Sequence, residues 1–171
     1  MRLFIAIDLE NEDYFKNIQK HLPDANATYP KEFHLTLQFL GETSKKEDIV
    51  KELNEIKFKP FKLKTTDIGV FPNKNLIKVV WLGLEPNHIL EELHKNIEYR
   101  MSLLGFKNDY KEFKPHITLA RIKHLKDNIS YLKQLMAINF DKKEFEIKTI
   151  KLIKSTLMPD GPVYETIAEV K

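Results

Sequence analysis

Phe33-His34-Leu35-Thr36-Leu37-Gln38-Phe39-Leu40 and Lys114-Pro115-His116-Ile117-Thr118-Leu119-Ala120-Arg121 carry the same tripeptide pattern, His-x-Thr, inside apolar segments that alternate. Side chains of a strand project to opposite faces with a period of two. His34, Thr36, Gln38 and Leu40 are therefore expected on one face of a strand, and Phe33, Leu35, Leu37 and Phe39 on the other. In the second copy His116, Thr118 and Ala120 alternate with Ile117 and Leu119. Each strand offers an imidazole beside a hydroxyl. The copies stand 82 positions apart (116 minus 34), which suggests two similar lobes that give one strand each to a shared cleft.

Outward from these strands the segments change type repeatedly. Residues 2 to 9 read as a buried strand and 11 to 22 as a helix. Residues 45 to 57 read as a helix opened by Ser44 with Glu47 three positions on, a capping-box spacing. Strands over 61 to 71 and 77 to 84 are joined across the turn cluster Pro72-Asn73-Lys74-Asn75. Residues 87 to 104 place Ile89, Leu90, Leu93, Ile97, Met101 and Leu104 at helical spacing before Gly105, and a further helix covers 126 to 138. The tail, 143 to 157 and 163 to 170, reads as a hairpin through Pro159-Asp160-Gly161-Pro162. Hairpins rather than strict strand-helix-strand repetition indicate an α+β fold with largely antiparallel sheets, two pseudo-symmetric lobes around a central cleft and helices outside. Nothing between 1 and 171 reads as a linker, so a single bilobal domain is expected.

A chain of 171 residues buries roughly 70% of the surface its unfolded form exposes, enough for a core without staples. The absence of Cys excludes a disulfide framework, a thiol nucleophile and thiolate metal sites. Asp8 and Glu10 interrupt the apolar start too early for a signal peptide, and no run approaches the roughly 18 apolar residues of a membrane span. A cytoplasmic protein without a membrane partner, monomeric, is the expectation. With 28 basic and 25 acidic residues interspersed and a net charge of +3, the composition disfavours coating of long nucleic acid. It leaves room for a single phosphate or one strand end.

For any lone histidine, a half-buried strand residue satisfied by neighbouring backbone is the favoured reading; duplication with a matching Thr moves both copies to function. His21, His88, His94 and His124 are read as surface residues, and the six-residue interval from His88 to His94 lacks metal-ligand spacing. Ser155 lacks a nucleophile-elbow setting and no glycine-rich phosphate loop occurs. Phe71 and Trp81 are expected to pack the core, with Phe71-Pro72 as a second candidate for the cleft edge.

The segments Met1 to Ile7, Phe33 to Glu42, Gly69 to Pro72, Trp81-Leu82-Gly83, Lys114 to Arg121, and Ser155-Thr156-Leu157 with Pro159 to Tyr164 resemble, in order, the RNA 2',3'-cyclic phosphodiesterases of the two-histidine phosphoesterase superfamily, also called 2'-5' RNA ligases. The resemblance covers almost the whole chain. It implies a cleft lined by both His-x-Thr pairs and hydrolysis of a cyclic phosphate at an RNA 3' end to a 2'-phosphate, with no metal or other cofactor. The partner implied is an RNA 3' end bearing a 2',3'-cyclic phosphate, tRNA fragments being one candidate source. Histidine titrates near pH 6.5, so one ring can accept a proton while the other donates, each contributing about 10² to 10⁴-fold. By resemblance His34 is the donor to the leaving oxygen and His116 the acceptor that activates water; the residues alone leave that order open. The hydroxyls of Thr36 and Thr118 suit the non-bridging phosphate oxygens.

The resemblance also implies base stacking for Phe39 and phosphate contact for Arg121, each five residues beyond its histidine. Strict alternation places both on the faces opposite their histidines, and only a bulge or a strand end brings them round. A core aromatic and a surface arginine are the competing readings. Where relatives often carry Pro-Arg, this chain has Ile77-Lys78 before Val79-Val80-Trp81, which supplies charge without the planar fork. Besides the hydrolase, two alternatives stand: a 2'-5' ligase or a phosphodiesterase of a small cyclic nucleotide using the same histidines, and a non-catalytic RNA-end binding module.

Overall fold

The computed structural model describes residues 1–108, 111–159 and 161–171. In chain order its elements are β1 (Arg2–Asp8), α1 (Glu12–Lys20), β2 (Asn26–Thr28), β3 (His34–Glu42), α2 (Lys46–Asn54), β4 (Phe61–Asn73), β5 (Leu76–Leu84), α3 (His88–Leu103), β6 (His116–His124), α4 (Asn128–Met136), β7 (Glu144–Ile147), β8 (Ile150–Met158) and β9 (Gly161–Val170). The fold is α+β. The strands run in the order β7-β4-β5-β6-β3-β1-β8-β9, every pairing is antiparallel, and β2 pairs with β6. That order is symmetric about the junction of β6 and β3, with one half on either side. Among the described residues the ladder between β3 and β6 is a single pair, Leu35 opposite Ile117.

One face of the strands carries the core. Leu3, Ile5 and Ile7 of β1, Leu35 of β3 and Ile117 of β6 are buried there with Phe15 of α1, Ile49 and Leu53 of α2, Ile97 of α3 and Leu135 of α4. Among the described residues a second, small buried cluster is formed by Phe4, Ala6 and Ile153 with Tyr164 against it. Among the described residues no helix is long and apolar enough to cross a membrane.

Helix starts follow their capping residues in three of four cases. Asn11, Asn87 and Asp127 accept hydrogen bonds from the first-turn amides of α1, α3 and α4. The capping box expected at Ser44 does not form: Lys45 occupies the N-cap of α2 without a side-chain bond, so Glu47 falls one place short of the required position. Burial of Ile49 and Leu53 holds the helix instead, at roughly 1.5–3 kcal/mol each against about 1 kcal/mol for a cap. At the end of α3 Gly105 adopts φ +84°, and Phe106 donates back to the Met101 carbonyl.

Two further expectations are corrected. The segment 143 to 157 is not one strand but two: β7 pairs with β4 in one half, and β8 pairs with β1 in the other. The short link between them carries the chain across the molecule, which alternation alone does not reveal. In the β4–β5 hairpin Pro72 and Asn73 belong to the strand and the turn narrows to Lys74-Asn75, with the Asn73 side chain accepting from the amides of Asn75 and Leu76. In the tail hairpin Met158 pairs with Gly161, while Asp160 of the expected turn lies outside the described residues.

Candidate active site

Strands β3 and β6 place the two His-x-Thr pairs at the seam between the halves. One residue either side of the Leu35–Ile117 pair, the antiparallel register sets His34 across from Thr118 and Thr36 across from His116. Leu35 and Ile117 point into the core, so all four motif side chains project into the cleft. The cleft encloses about 1280 Å³.

Both strands then depart from alternation in the same way. Along β1, Ala6 pairs with Thr36 but Ile5 pairs with Gln38, leaving Leu37 as an extra residue. Along β5, Trp81 pairs with Thr118 but Val80 pairs with Ala120, leaving Leu119 as the extra residue. A bulge of this kind shifts every following side chain to the other face. Gln38 and Ala120 are thereby buried, and Phe39 and Arg121 come round to the cleft beside their histidines. Phe39 is 60% exposed, which excludes a core role.

Aromatic rings back each imidazole. His34 lies 5.1 Å from both the Phe4 and Tyr164 ring centroids, and His116 lies 4.9 Å from Phe71 and 6.1 Å from Trp81. Phe71 and Trp81 are thus the wall behind His116 rather than core residues, because β4 and β5 turn those positions toward the cleft face. Gly69, opposite Trp81 in the register, makes room for the indole: a Cβ there falls within the ring. Gly69→Ala is expected to destabilise the fold by about 1–3 kcal/mol by overpacking and to lower activity with it; a melting temperature equal to that of the native protein counts against this packing role.

Burial dominates the electrostatics. It pushes the His34 imidazole down to about 4, with the charge of Arg121 adding to the effect and that of Asp8, its cross-strand neighbour, opposing it. His116 is also lowered, mainly by burial and further by Arg121, while its bond to the Lys114 carbonyl opposes the shift. Burial raises Tyr164, and Arg121 again acts on it in the lowering direction. One guanidinium therefore acts on both imidazoles and on the tyrosine. In His116 the Nδ1 atom donates to the Lys114 carbonyl at 2.6 Å, so Nε2 of the neutral ring is a proton acceptor. Asp8 in turn is held by Lys151 at 2.6 Å, and Lys151 also meets Glu169 at 3.1 Å.

All six residues singled out in the sequence, His34, Thr36, Phe39, His116, Thr118 and Arg121, line this one cleft. Lys78 is exposed on β5 and is not among the lining residues. His21, His88 and His124 are exposed as expected, but His94 is not a surface residue. Its side chain is 13% exposed, it stacks on Phe113 at 3.8 Å between centroids, and it lies 3.7 Å from Glu98. Helix α3 packs across β3 at this point, a contact no local pattern encodes. Sequence reasoning also passed over Phe4, Asp8 and Tyr164 as neighbours of His34; for Tyr164 the only signal was its place in a segment with a family resemblance.

A family model described as the 2'-5' RNA ligase superfamily matches residues 8–157. A Methanocaldococcus jannaschii protein named RNA 2',3'-cyclic phosphodiesterase is 42% identical, with 99% of each chain covered. Another of that name from Archaeoglobus fulgidus is 33% identical, with 98% of each covered. Among solved structures, TT0787 of Thermus thermophilus superposes with a TM-score of 0.79 at 27% identity over 99% of this chain and 97% of that one. The Escherichia coli LigT complex with 3'-AMP superposes with a TM-score of 0.76 at 25% identity over 98% and 95%.

Proposed function

The chain belongs to the 2'-5' RNA ligase superfamily, and from that premise we propose that it hydrolyses the 2',3'-cyclic phosphate at an RNA 3' end to a 2'-phosphomonoester. The observation that carries this reading is the seam: two imidazoles and two hydroxyls set across from one another, one imidazole with its acceptor nitrogen free. The names of the relatives, RNA 2',3'-cyclic phosphodiesterase, supply the substrate.

The chemistry follows from the placement. Water attacks phosphorus in line with the departing 3' oxygen. His116 Nε2 takes the proton from water, for which the Nδ1 bond to Lys114 fixes the right tautomer. His34 gives its proton to the leaving oxygen, and the Asp8 carboxylate favours the charged ring that this requires. One P–O bond forms, one breaks, and the two histidines end with their protonation states exchanged, to be reset by solvent. Thr36 and Thr118 donate to the non-bridging oxygens, and the Arg121 guanidinium neutralises the developing charge. Phe39, exposed at the mouth, offers a face for the terminal base.

The pH profile carries a signature. In the free protein both imidazoles are neutral at pH 7, since both are lowered from 6.5. The productive form needs His34 protonated, which is lost as pH rises above about 4, and His116 neutral, which is lost as pH falls through its own lowered value. The profile of kcat/KM is therefore a bell with its maximum below pH 6.5. A bound phosphodiester anion stabilises the imidazolium, so the limbs of kcat lie higher. A maximum of kcat/KM above pH 7 counts against these roles.

The reaction itself is tested with a short RNA ending in a 2',3'-cyclic phosphate, with and without a second RNA bearing a 5'-hydroxyl. A 2'-phosphate in both cases supports hydrolysis; a joined product when the 5'-hydroxyl RNA is present moves the assignment to a ligase, and tight binding without turnover moves it to a recognition module.

A further inference from the structure

Bulges that aim side chains leave backbone unpaired, and this protein has two of them at its cleft. The extra residue of a bulge has no ladder partner, and a buried carbonyl without a donor costs about 1–3 kcal/mol. For Leu119 the missing donor comes from Gln19. This residue of α1 gives its side-chain amide to the Leu119 carbonyl at 2.9 Å and to the Pro30 carbonyl at 2.9 Å. Although α1 follows β1 in one half of the molecule, it packs against β6 of the other. A single carboxamide thus ties the loop leading to His34 to the bulge that turns Arg121.

We infer that Gln19 is a positioning residue that reaches from a helix of one half to clamp the bulge of the other, thereby fixing Arg121. Gln19 is not among the residues that line the cleft. The inference rests on the proposed cyclic phosphodiesterase reading for its activity readout, but the clamp itself is a property of the backbone.

The test is a pair of double-mutant cycles on cyclic-phosphate RNA, read as kcat/KM, with amide hydrogen exchange as a substrate-free measurement. Gln19→Met keeps the length of the side chain and removes both donors; it is expected to lower kcat/KM about tenfold. Arg121→Ala, costly in the native protein, is expected to cost no more than about threefold in the Gln19→Met background, because the guanidinium is already misplaced. Phe39→Ala remains additive with Gln19→Met. Exchange at Ala120 and Arg121 is expected to rise at least about tenfold in Gln19→Met with the melting transition still cooperative. An additive cycle for Gln19→Met with Arg121→Ala, or unchanged exchange at Ala120 and Arg121, overturns the inference even if the native enzyme is active. Inactivity of the native protein on this RNA overturns the functional reading and leaves the exchange measurement to decide the clamp.

Discussion

Replacing His34 or His116 with alanine is expected to lower kcat by about 10² to 10⁴-fold each, and replacing both to lower it little further than the worse of the two, because acid and base act in one step. The two variants are separable by the leaving group. A cyclic phosphate whose 3' bridging oxygen is replaced by sulfur expels a thiolate, which needs no proton. His34→Ala is expected to recover most of its loss on that substrate, whereas His116→Ala, still lacking the base that activates water, is not. Recovery by His116→Ala instead reverses the assignment. The geometry favours the stated order, since His116 Nδ1 is committed to the Lys114 carbonyl at 2.6 Å and, of the two imidazoles, Asp8 acts on that of His34.

Arg121→Ala is expected to lower kcat/KM by about 10 to 100-fold, the scale of charge-assisted hydrogen bonds worth roughly 1.5–3 kcal/mol. Arg121→Lys recovers only part of this, because an ammonium group lacks the planar fork that grips two phosphate oxygens. A second effect distinguishes Arg121 from a mere surface cation. Its charge lowers both His34 and His116, so its removal raises both imidazoles. Both limbs of the kcat/KM bell are then expected to move to higher pH in Arg121→Ala. Limbs that stay in place, measured from pH 4 to 8, contradict the action of the guanidinium on both rings.

The sequence made the His-x-Thr strands readable because alternation is a local property, and the duplicated tripeptide marked both. It could not show why Phe39 and Arg121 reach the cleft. That depends on Leu37 and Leu119 being squeezed out of the ladder, which is fixed by the register of β1 and β5 against them rather than by residues nearby in sequence. Capping of α2 went astray for a related reason: Ser44 and Glu47 have the right spacing, but the helix starts one residue late and is held by burial of Ile49 and Leu53. His94 has polar neighbours and sits on a helix, so it read as surface until α3 was seen lying over β3. Crossing of the chain between β7 and β8 is likewise invisible to periodicity, because both sides of the break alternate.

In the proposed reaction two histidines open a cyclic phosphate between them. The most direct test is single-turnover incubation, with EDTA present, of a short RNA ending in a 2',3'-cyclic phosphate with the native protein, His34→Ala and His116→Ala, the products being resolved by phosphorus NMR. Conversion to a 2'-phosphomonoester by the native protein and by neither variant is the predicted result. A 3'-phosphate product, or comparable conversion by either variant, would contradict it.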